Sequence, residues 1–147
     1  MDGLTIHLIV NHIPIIGTAI GIIVTLAGAV FVREDVRKAG LIIYVVTGLA
    51  IFPANFTGEE AEDIVENRYE WVSHDQIHEH EEAAETAMTL TVIALVLALL
   101  HLFNKPSTPG FRRILLTAFF TVSIAGTVMA IYTGFEGGKI MRTEKIE

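Results

Sequence analysis

The sequence predicts an all-α integral membrane protein, a four-helix bundle made of two related helical hairpins. Of its 147 residues, 52% are hydrophobic and only 18% are charged. The charges gather in a few stretches that separate four apolar runs, each close to the roughly 20 residues needed to cross a bilayer. A soluble domain of this size would carry charge all round its surface. We therefore expect residues 1–147 to form a single four-span transmembrane domain.

The four apolar runs give the order of the spans and their orientation. They cover residues 13–32, 39–56, 83–103 and 114–135, so both termini and residues 57–82 share one side, here called side A. The short connections, 33–38 and 104–113, form side B, with six basic and two acidic residues against four and fifteen on side A. Because Lys and Arg near span ends resist translocation, we expect side B to be cytoplasmic. Side A would then be periplasmic in a bacterial inner membrane.

Composition excludes several function classes. There is no cysteine, so the chain has no disulfide, no thiolate metal site and no iron–sulfur ligand. The net charge of -7 excludes a nucleic-acid partner, which requires a basic face. No nucleophile stands beside a base, and no phosphate-binding loop is present. The sequence leaves open whether the chain is an enzyme. The four spans imply membrane lipid as a partner.

Two smaller patterns refine the architecture. Apolar residues within 61–72 fall on one helical face opposite acidic ones, which predicts a short amphipathic helix in the membrane interface between spans 2 and 3. The sequence aromatic, Thr, Gly, any residue, Glu occurs at 56–60 and again at 132–136, which indicates the two related hairpins. Small residues recur at helical spacing in the spans and predict close helix packing, within the chain or in a homo-oligomer.

Histidine is distributed very unevenly between the two sides. Five of the six histidines belong to side A, and His101 alone lies at the side B end of a span. His12 is one residue outside the first apolar run and His80 is three outside the third, so their depths should agree within about 3 Å. We therefore expect His12 and His80 to face each other across the bundle. His101 is expected to be a hydrogen-bonding or snorkelling residue.

These histidines predict a b-type haem between spans 1 and 3. Small residues, beginning with Ala84 and Ala87, continue along the helix face below His80 and would offer a flat surface to a macrocycle. Imidazoles from two helices are the expected axial ligands, with His12 and His80 as the preferred pair and His7 as the substitute for His12. We expect the two echoed acids to orient these imidazoles through their second nitrogens. Those acids are Glu60 and Glu136.

The geometry around His12 leaves two possibilities open. The glycine stripe of the first span lies on the opposite side of an ideal helix from His12, so it cannot face the same cofactor unless Pro14 kinks the chain. Alternatively, Pro14 is the first residue of the helix proper, with Asn11 or His12 near its cap and His7 on a separate lead-in.

Two other functions compete with the haem. The first is a site for a Zn, Cu or Fe ion at the same place, since His and carboxylate side chains bind these metals. The second is a membrane anchor subunit without cofactor, whose histidines are buried hydrogen-bonding residues. His74 and His78 also share a helical face with acids, although a solvated helix start explains that pattern better. The ligands for the ion would come from His7, His12, His80, Glu59, Glu60, Glu62, Glu81 and Glu136.

The pattern His, four residues, His, one residue, Pro at 7–14 resembles a family of four-helix prokaryotic membrane proteins known only as a domain of unknown function. The likeness continues in Thr-Gly-Glu-Glu-Ala-Glu at 57–62, His-Glu-Glu-Ala-Ala at 80–84 and Thr-Gly-Phe-Glu-Gly-Gly at 133–138. Family members occur with Rieske-type or cytochrome modules, so the resemblance implies a redox setting and such a periplasmic redox partner. It also implies that the important histidines are His7, His12 and His80.

Overall fold

The computed structural model describes residues 2–69, 72–103 and 108–142, and in these ranges every regular element is an α-helix. Four of the helical segments are long and apolar enough to cross a membrane, which confirms the predicted all-α class and indicates a membrane protein. These segments are Gly3–Val30, Glu34–Arg68, His74–Phe103 and Pro109–Ile140. The helices in chain order are α1 Gly3–Val10, α2 His12–Val30, α3 Glu34–Gly48, α4 Ile51–Arg68, α5 His74–Phe103 and α6 Pro109–Arg142.

Helix α2 packs along α3, and α5 packs along α6, while α1 lies against α4. Glycines make the first of these contacts close. A Cβ atom at Gly21 would lie 2.7 Å from the backbone nitrogen of Tyr44, and one at Gly17 would meet the side chain of Thr47. Because a side chain would not fit between the two backbones, the glycine stripe of α2 packs α2 against α3 within one chain.

The core lies between α2, α3, α5 and α6. Tyr44 and Phe119 meet there edge to face, with ring centres 5.0 Å apart. Outward-facing side chains are also apolar, as shown by Ile23 at 66% and Ile114 at 68% exposed. An apolar exterior around a small apolar core is what a bilayer requires. The buried members of the core cluster are Ile22, Leu41, Tyr44, Ala94, Leu95, Ala98 and Phe119.

The first membrane-crossing segment is interrupted at Asn11, which separates α1 from α2. His7 therefore lies on a lead-in helix, α1, while His12 is the first residue of α2 and Pro14 follows in its first turn. The second possibility for Pro14 is met only in part: His7 is on the lead-in helix, but Pro14 is the third residue of α2 rather than its first, and Asn11 keeps helical backbone angles.

Residues 61–68 are helical, but they continue α4 rather than form a separate helix. Residues 70 and 71 of the proposed interfacial segment lie outside the described ranges. The position of this segment in a membrane interface stays a prediction.

Helix α1 is fixed to the end of α4 by its first residues. One carboxylate oxygen of Asp2 accepts hydrogen bonds from the backbone nitrogen and hydroxyl of Thr5, at 3.1 and 2.6 Å, and so caps α1. The other lies 3.2 Å from the guanidinium of Arg68. The bonds from Thr5, together with Arg68, lower the pKa of Asp2 to about 2. Asp2 therefore stays ionised at physiological pH and ties α1 to α4.

The close approach of α2 and α3 yields a test of the fold. In Gly21→Ala the new methyl group would collide with the α3 backbone at Tyr44, so we expect the free energy of unfolding to fall by about 1–3 kcal/mol. Gly110→Ala is the matched control, because a Cβ there meets nothing within 4 Å. Chemical unfolding of both variants in detergent micelles measures the difference. Equal stability of the two variants would contradict this packing.

Candidate functional site

A cavity of about 580 Å³ opens between α1, α4, α5 and α6. Two half-buried histidines line it, His7 from α1 and His80 from α5. Helix α5 has 30 residues and is therefore about 45 Å long, more than the roughly 30 Å of a bilayer's hydrocarbon core. His80 lies in the second turn of α5, so the cavity belongs to the end of the bundle where α1 begins and α6 ends.

The ring of His7 is held by α4. Its Nδ1 lies 3.1 Å from the carbonyl oxygen of Ala54, with the hydroxyl oxygen of Thr57 further away at 3.4 Å. A carbonyl oxygen can only accept a hydrogen bond, so Nδ1 of His7 carries the proton and donates it. This bond sets the tautomer of the ring and leaves Nε2 with a lone pair.

The ring of His80 is held in the same way by α6. Its Nδ1 donates to the carbonyl oxygen of Thr133 at 2.9 Å. Within the described ranges, neither His80 nor His7 makes a hydrogen bond through Nε2. Each imidazole therefore offers an unprotonated nitrogen, the form in which histidine binds a metal.

Each accepting carbonyl is followed four residues later by a glycine. These glycines are Gly58, after Ala54, and Gly137, after Thr133. A Cβ atom would lie 3.3 Å from Cε1 of His7 at Gly58 and 3.0 Å from Cε1 of His80 at Gly137. In a helix the carbonyl of residue i points toward residue i+4, so a side chain there would obstruct anything that approaches the carbonyl. The two glycines make room for the imidazoles.

The two rings face the same space. Their centres are 6.5 Å apart and their planes are nearly perpendicular, at 88°. Two neutral imidazoles from different helices, each with a free lone pair, can bind one metal centre between them. The same separation also lies within the 4.5–7 Å range typical of a direct contact between aromatic rings.

His12 does not take the place that the sequence analysis preferred for it. Its ring is exposed, and Nδ1 donates to the carbonyl oxygen of Leu8 at 2.7 Å, one turn back along its own chain. His12 borders the same cavity, but the ring that contacts His80 is that of His7. The contacts therefore favour the substitute, His7, as the partner of His80.

Only the upper part of the small-residue face below His80 borders the cavity. Ala84 and Ala87 line it, although Ala87 is only 2% exposed. Further along α5, Ala94 and Ala98 pack into the core with Phe119. The flat surface available to a ligand is therefore about two turns long rather than the whole helix face.

The echoed acids do not orient the imidazoles as predicted, because backbone carbonyls already hold both Nδ1 atoms. Glu60 packs against α1, where its side chain fills the space next to Gly3. Glu136 is 3% exposed and pairs with Lys139 at 2.7 Å. Four other carboxylates border the cavity that His7 and His80 line. They are Glu59, Glu62, Glu81 and Glu85.

The described ranges contain no group of three or more His, Asp or Glu side chains placed to hold a metal ion. His74 is exposed and bonds to Glu66 at 2.9 Å, and His78 is exposed beside Glu81 and Glu82. These two histidines belong to a solvated surface, as expected. His101 is buried at the other end of the bundle.

The groups that hold the two histidine rings were not identified from the sequence. They are two backbone carbonyls and two glycines. The Thr-Gly echo pointed to the correct helix ends. However, His7 contacts the echoed Gly58, whereas His80 contacts Gly137, three positions beyond the echoed Gly134. A search for glycine four residues after a small residue at both helix ends would have included the correct pairs.

The tautomers of the two rings can be measured directly. We expect ¹⁵N spectra of histidine-labelled protein in micelles to show Nδ1 protonated and Nε2 unprotonated in both His7 and His80, because each Nδ1 donates to a carbonyl. Loss of one signal in His7→Gln or His80→Gln assigns the rings. A proton on Nε2 of either ring would contradict the hydrogen bonds described above.

Comparison with family models, with curated proteins and with solved structures gives no match for this chain. The resemblance at 7–14, 57–62, 80–84 and 133–138 therefore stays a prediction. The functional argument rests on the geometry of the cavity and its histidines.

Proposed function

We propose that this protein transfers electrons in a membrane and resembles a b-type cytochrome, with one haem held by His7 and His80. The observation that carries the proposal is the pair of half-buried imidazoles with ring centres 6.5 Å apart and each Nδ1 fixed by a carbonyl. Metal–imidazole bonds of about 2 Å would place two rings that share one metal roughly 6 Å apart, centre to centre.

The cavity suits a large, flat ligand. Its volume of about 580 Å³ lies within the range of small-molecule sites, and Ala84 and Ala87 give it a smooth wall. His7 and His80 would hold the iron, and the haem would supply a one-electron redox couple. Hydrogen bonds from Nδ1 to Ala54 and Thr133 fix each ring and increase the basicity of Nε2.

The number of protein ligands favours haem over a metal ion. A structural zinc site takes four protein ligands and a catalytic one takes three, whereas the described ranges bring no three suitable side chains together. A haem iron bound by the macrocycle needs only two axial ligands, and two imidazoles are what the cavity offers. A site for a Zn, Cu or Fe ion therefore has less support.

We further propose that the two halves are related hairpins. Each half of the bundle holds one imidazole in the same way, through a backbone carbonyl that is followed four residues later by a glycine. This shared arrangement supports the proposal. A junction between related halves is where such membrane proteins place their sites.

The proposed orientation has the haem near the periplasmic face of a bacterial inner membrane, with both termini on that side. The excess of Lys and Arg in the two short connections supports it. The acidic character of side A would attract a basic partner such as a soluble cytochrome, and the family resemblance adds a Rieske-type module as a second choice.

A membrane anchor without cofactor is the second candidate. The observation in its favour is the ring separation of 6.5 Å, which is also that of an ordinary edge-to-face contact. In that case the two histidines would join the halves of the bundle and carry no electrons.

An absorption spectrum of the purified protein tests the proposal. We expect a sharp Soret band, and we expect His7→Ala and His80→Ala to reduce the haem content per chain about tenfold, because each of these histidines would supply one of the two protein ligands of the iron. His12→Ala and His74→Ala are matched controls from the same end of the bundle and should keep the band.

Three outcomes would contradict the assignment in different ways. Wild-type protein without a Soret band and without stoichiometric metal would indicate the anchor. Stoichiometric metal without a Soret band would indicate an ion site. Loss of the band in His12→Ala but not in His7→Ala would restore the pair first preferred from the sequence.

A further inference from the structure

The end of the bundle opposite the histidine cavity is strongly cationic. Here α3 begins, α5 ends and α6 begins, and among the described residues five bases and two acids lie together. We call this region the cationic end. Its bases are Arg33, Arg37, Lys38, Arg112 and Arg113, and its acids are Glu34 and Asp35.

One carboxylate forms ion pairs with three of these bases. The two oxygens of Glu34 lie 3.7 Å from Arg37, 3.4 Å from Lys38 and 3.5 Å from Arg112. A single negative charge cannot neutralise three positive ones, so the group retains two positive charges in excess. Since Arg112 belongs to α6 and the others to α3, the excess charge lies where the two halves of the bundle meet.

The most deeply buried of the three bases is poorly satisfied. Arg37 is 9% exposed, and its only ion pair within the described ranges, at 3.7 Å, is too long for a hydrogen bond. Its Nε atom is buried without a partner. A guanidinium has five N–H donors, and leaving the buried one on Nε unpaired is costly.

A second buried group at this end lacks a partner. His101, near the end of α5, is 8% exposed, and its Nδ1 has no hydrogen-bond partner in the described part of the chain. Its ring interacts electrostatically with Glu34. This end of the bundle thus holds two buried polar side chains that each have an atom without a partner.

From these observations we infer that the cationic end binds the phosphate group of an acidic phospholipid, with Arg37, Lys38 and Arg112 as the charged contacts. A phosphate diester brings one negative charge and several acceptor oxygens to a group that has two excess charges and unsatisfied donors. The helices around it present apolar side chains outward, such as Val32 at 84% and Phe103 at 81% exposed, so acyl chains would have a surface to lie on. Basic pockets between membrane helices are known to bind such headgroups.

The test measures which lipid the full chain retains. Wild-type protein is reconstituted with equal parts of phosphatidylglycerol and phosphatidylcholine, and the bound lipids are counted by native mass spectrometry. We expect phosphatidylglycerol to be enriched. Lys38→Gln and Arg112→Gln should each reduce the enrichment about fivefold, because one Lys or Arg near an anionic surface contributes about 1 kcal/mol, which corresponds to roughly a fivefold change in affinity. Both side chains are partly exposed, so these variants should fold.

Two further variants separate lipid binding from a purely structural role. Glu34→Gln removes the competing carboxylate and should increase the enrichment. Arg68→Gln removes a base at the opposite end, where it pairs with Asp2 at 3.2 Å, and should leave the enrichment unchanged.

The proposal would be overturned by equal enrichment in wild type and Arg112→Gln, by reduced enrichment in Glu34→Gln, or by an equal loss in Arg68→Gln. Displacement of the bound lipid by millimolar inorganic phosphate would also overturn it, because the site would then take a free anion rather than a headgroup.

Discussion

The fold and the proposed function both depend on one interaction made twice, a hydrogen bond from the Nδ1 of a histidine to a backbone carbonyl on the facing helix. His7 makes it to Ala54 and His80 makes it to Thr133. The bond joins α1 to α4 and α5 to α6, fixes each ring as one tautomer and directs the unprotonated Nε2 away from that carbonyl. Hydrogen bonds of this kind are electrostatically stronger in the low dielectric of a protein interior than in water.

The acceptors are main-chain atoms, which every residue has. The residues beside each carbonyl therefore determine whether an imidazole can reach it. Gly58 and Gly137 leave open the space that a side chain would fill, and the two rings then come to 6.5 Å. In the described ranges no third side chain joins the two imidazoles to form a metal-binding group. At the other end, Glu34 gathers more positive charge than it can neutralise. Among the described residues, one end of the bundle thus holds the two imidazoles beside acidic side chains, and the other end is basic and holds two buried atoms without a partner, Nε of Arg37 and Nδ1 of His101.

Much of the fold could be predicted from the sequence, since the apolar runs are long and their flanks are charged. The choice between His7 and His12 could not be predicted, because it depends on which carbonyl each ring reaches: His7 donates to Ala54 on α4, whereas His12 donates to Leu8 on its own chain. The expectation for Glu60 and Glu136 was wrong because a backbone carbonyl gives no sequence signal. The length of the small-residue face below His80 was overestimated. Helical periodicity identifies the small residues, but it does not show whether Ala94 contacts a ligand or Phe119.

The central claim is that His7 and His80 bind the same iron through Nε2. Electron paramagnetic resonance of the oxidised protein tests it most directly, because two strong-field imidazole ligands make ferric haem low-spin. We expect a low-spin ferric signal in wild-type protein and its replacement by a high-spin signal, or by none, in His7→Gly and in His80→Gly, with recovery on addition of free imidazole. A low-spin signal that persists when both histidines are replaced, or an oxidised protein without any haem signal, would contradict it.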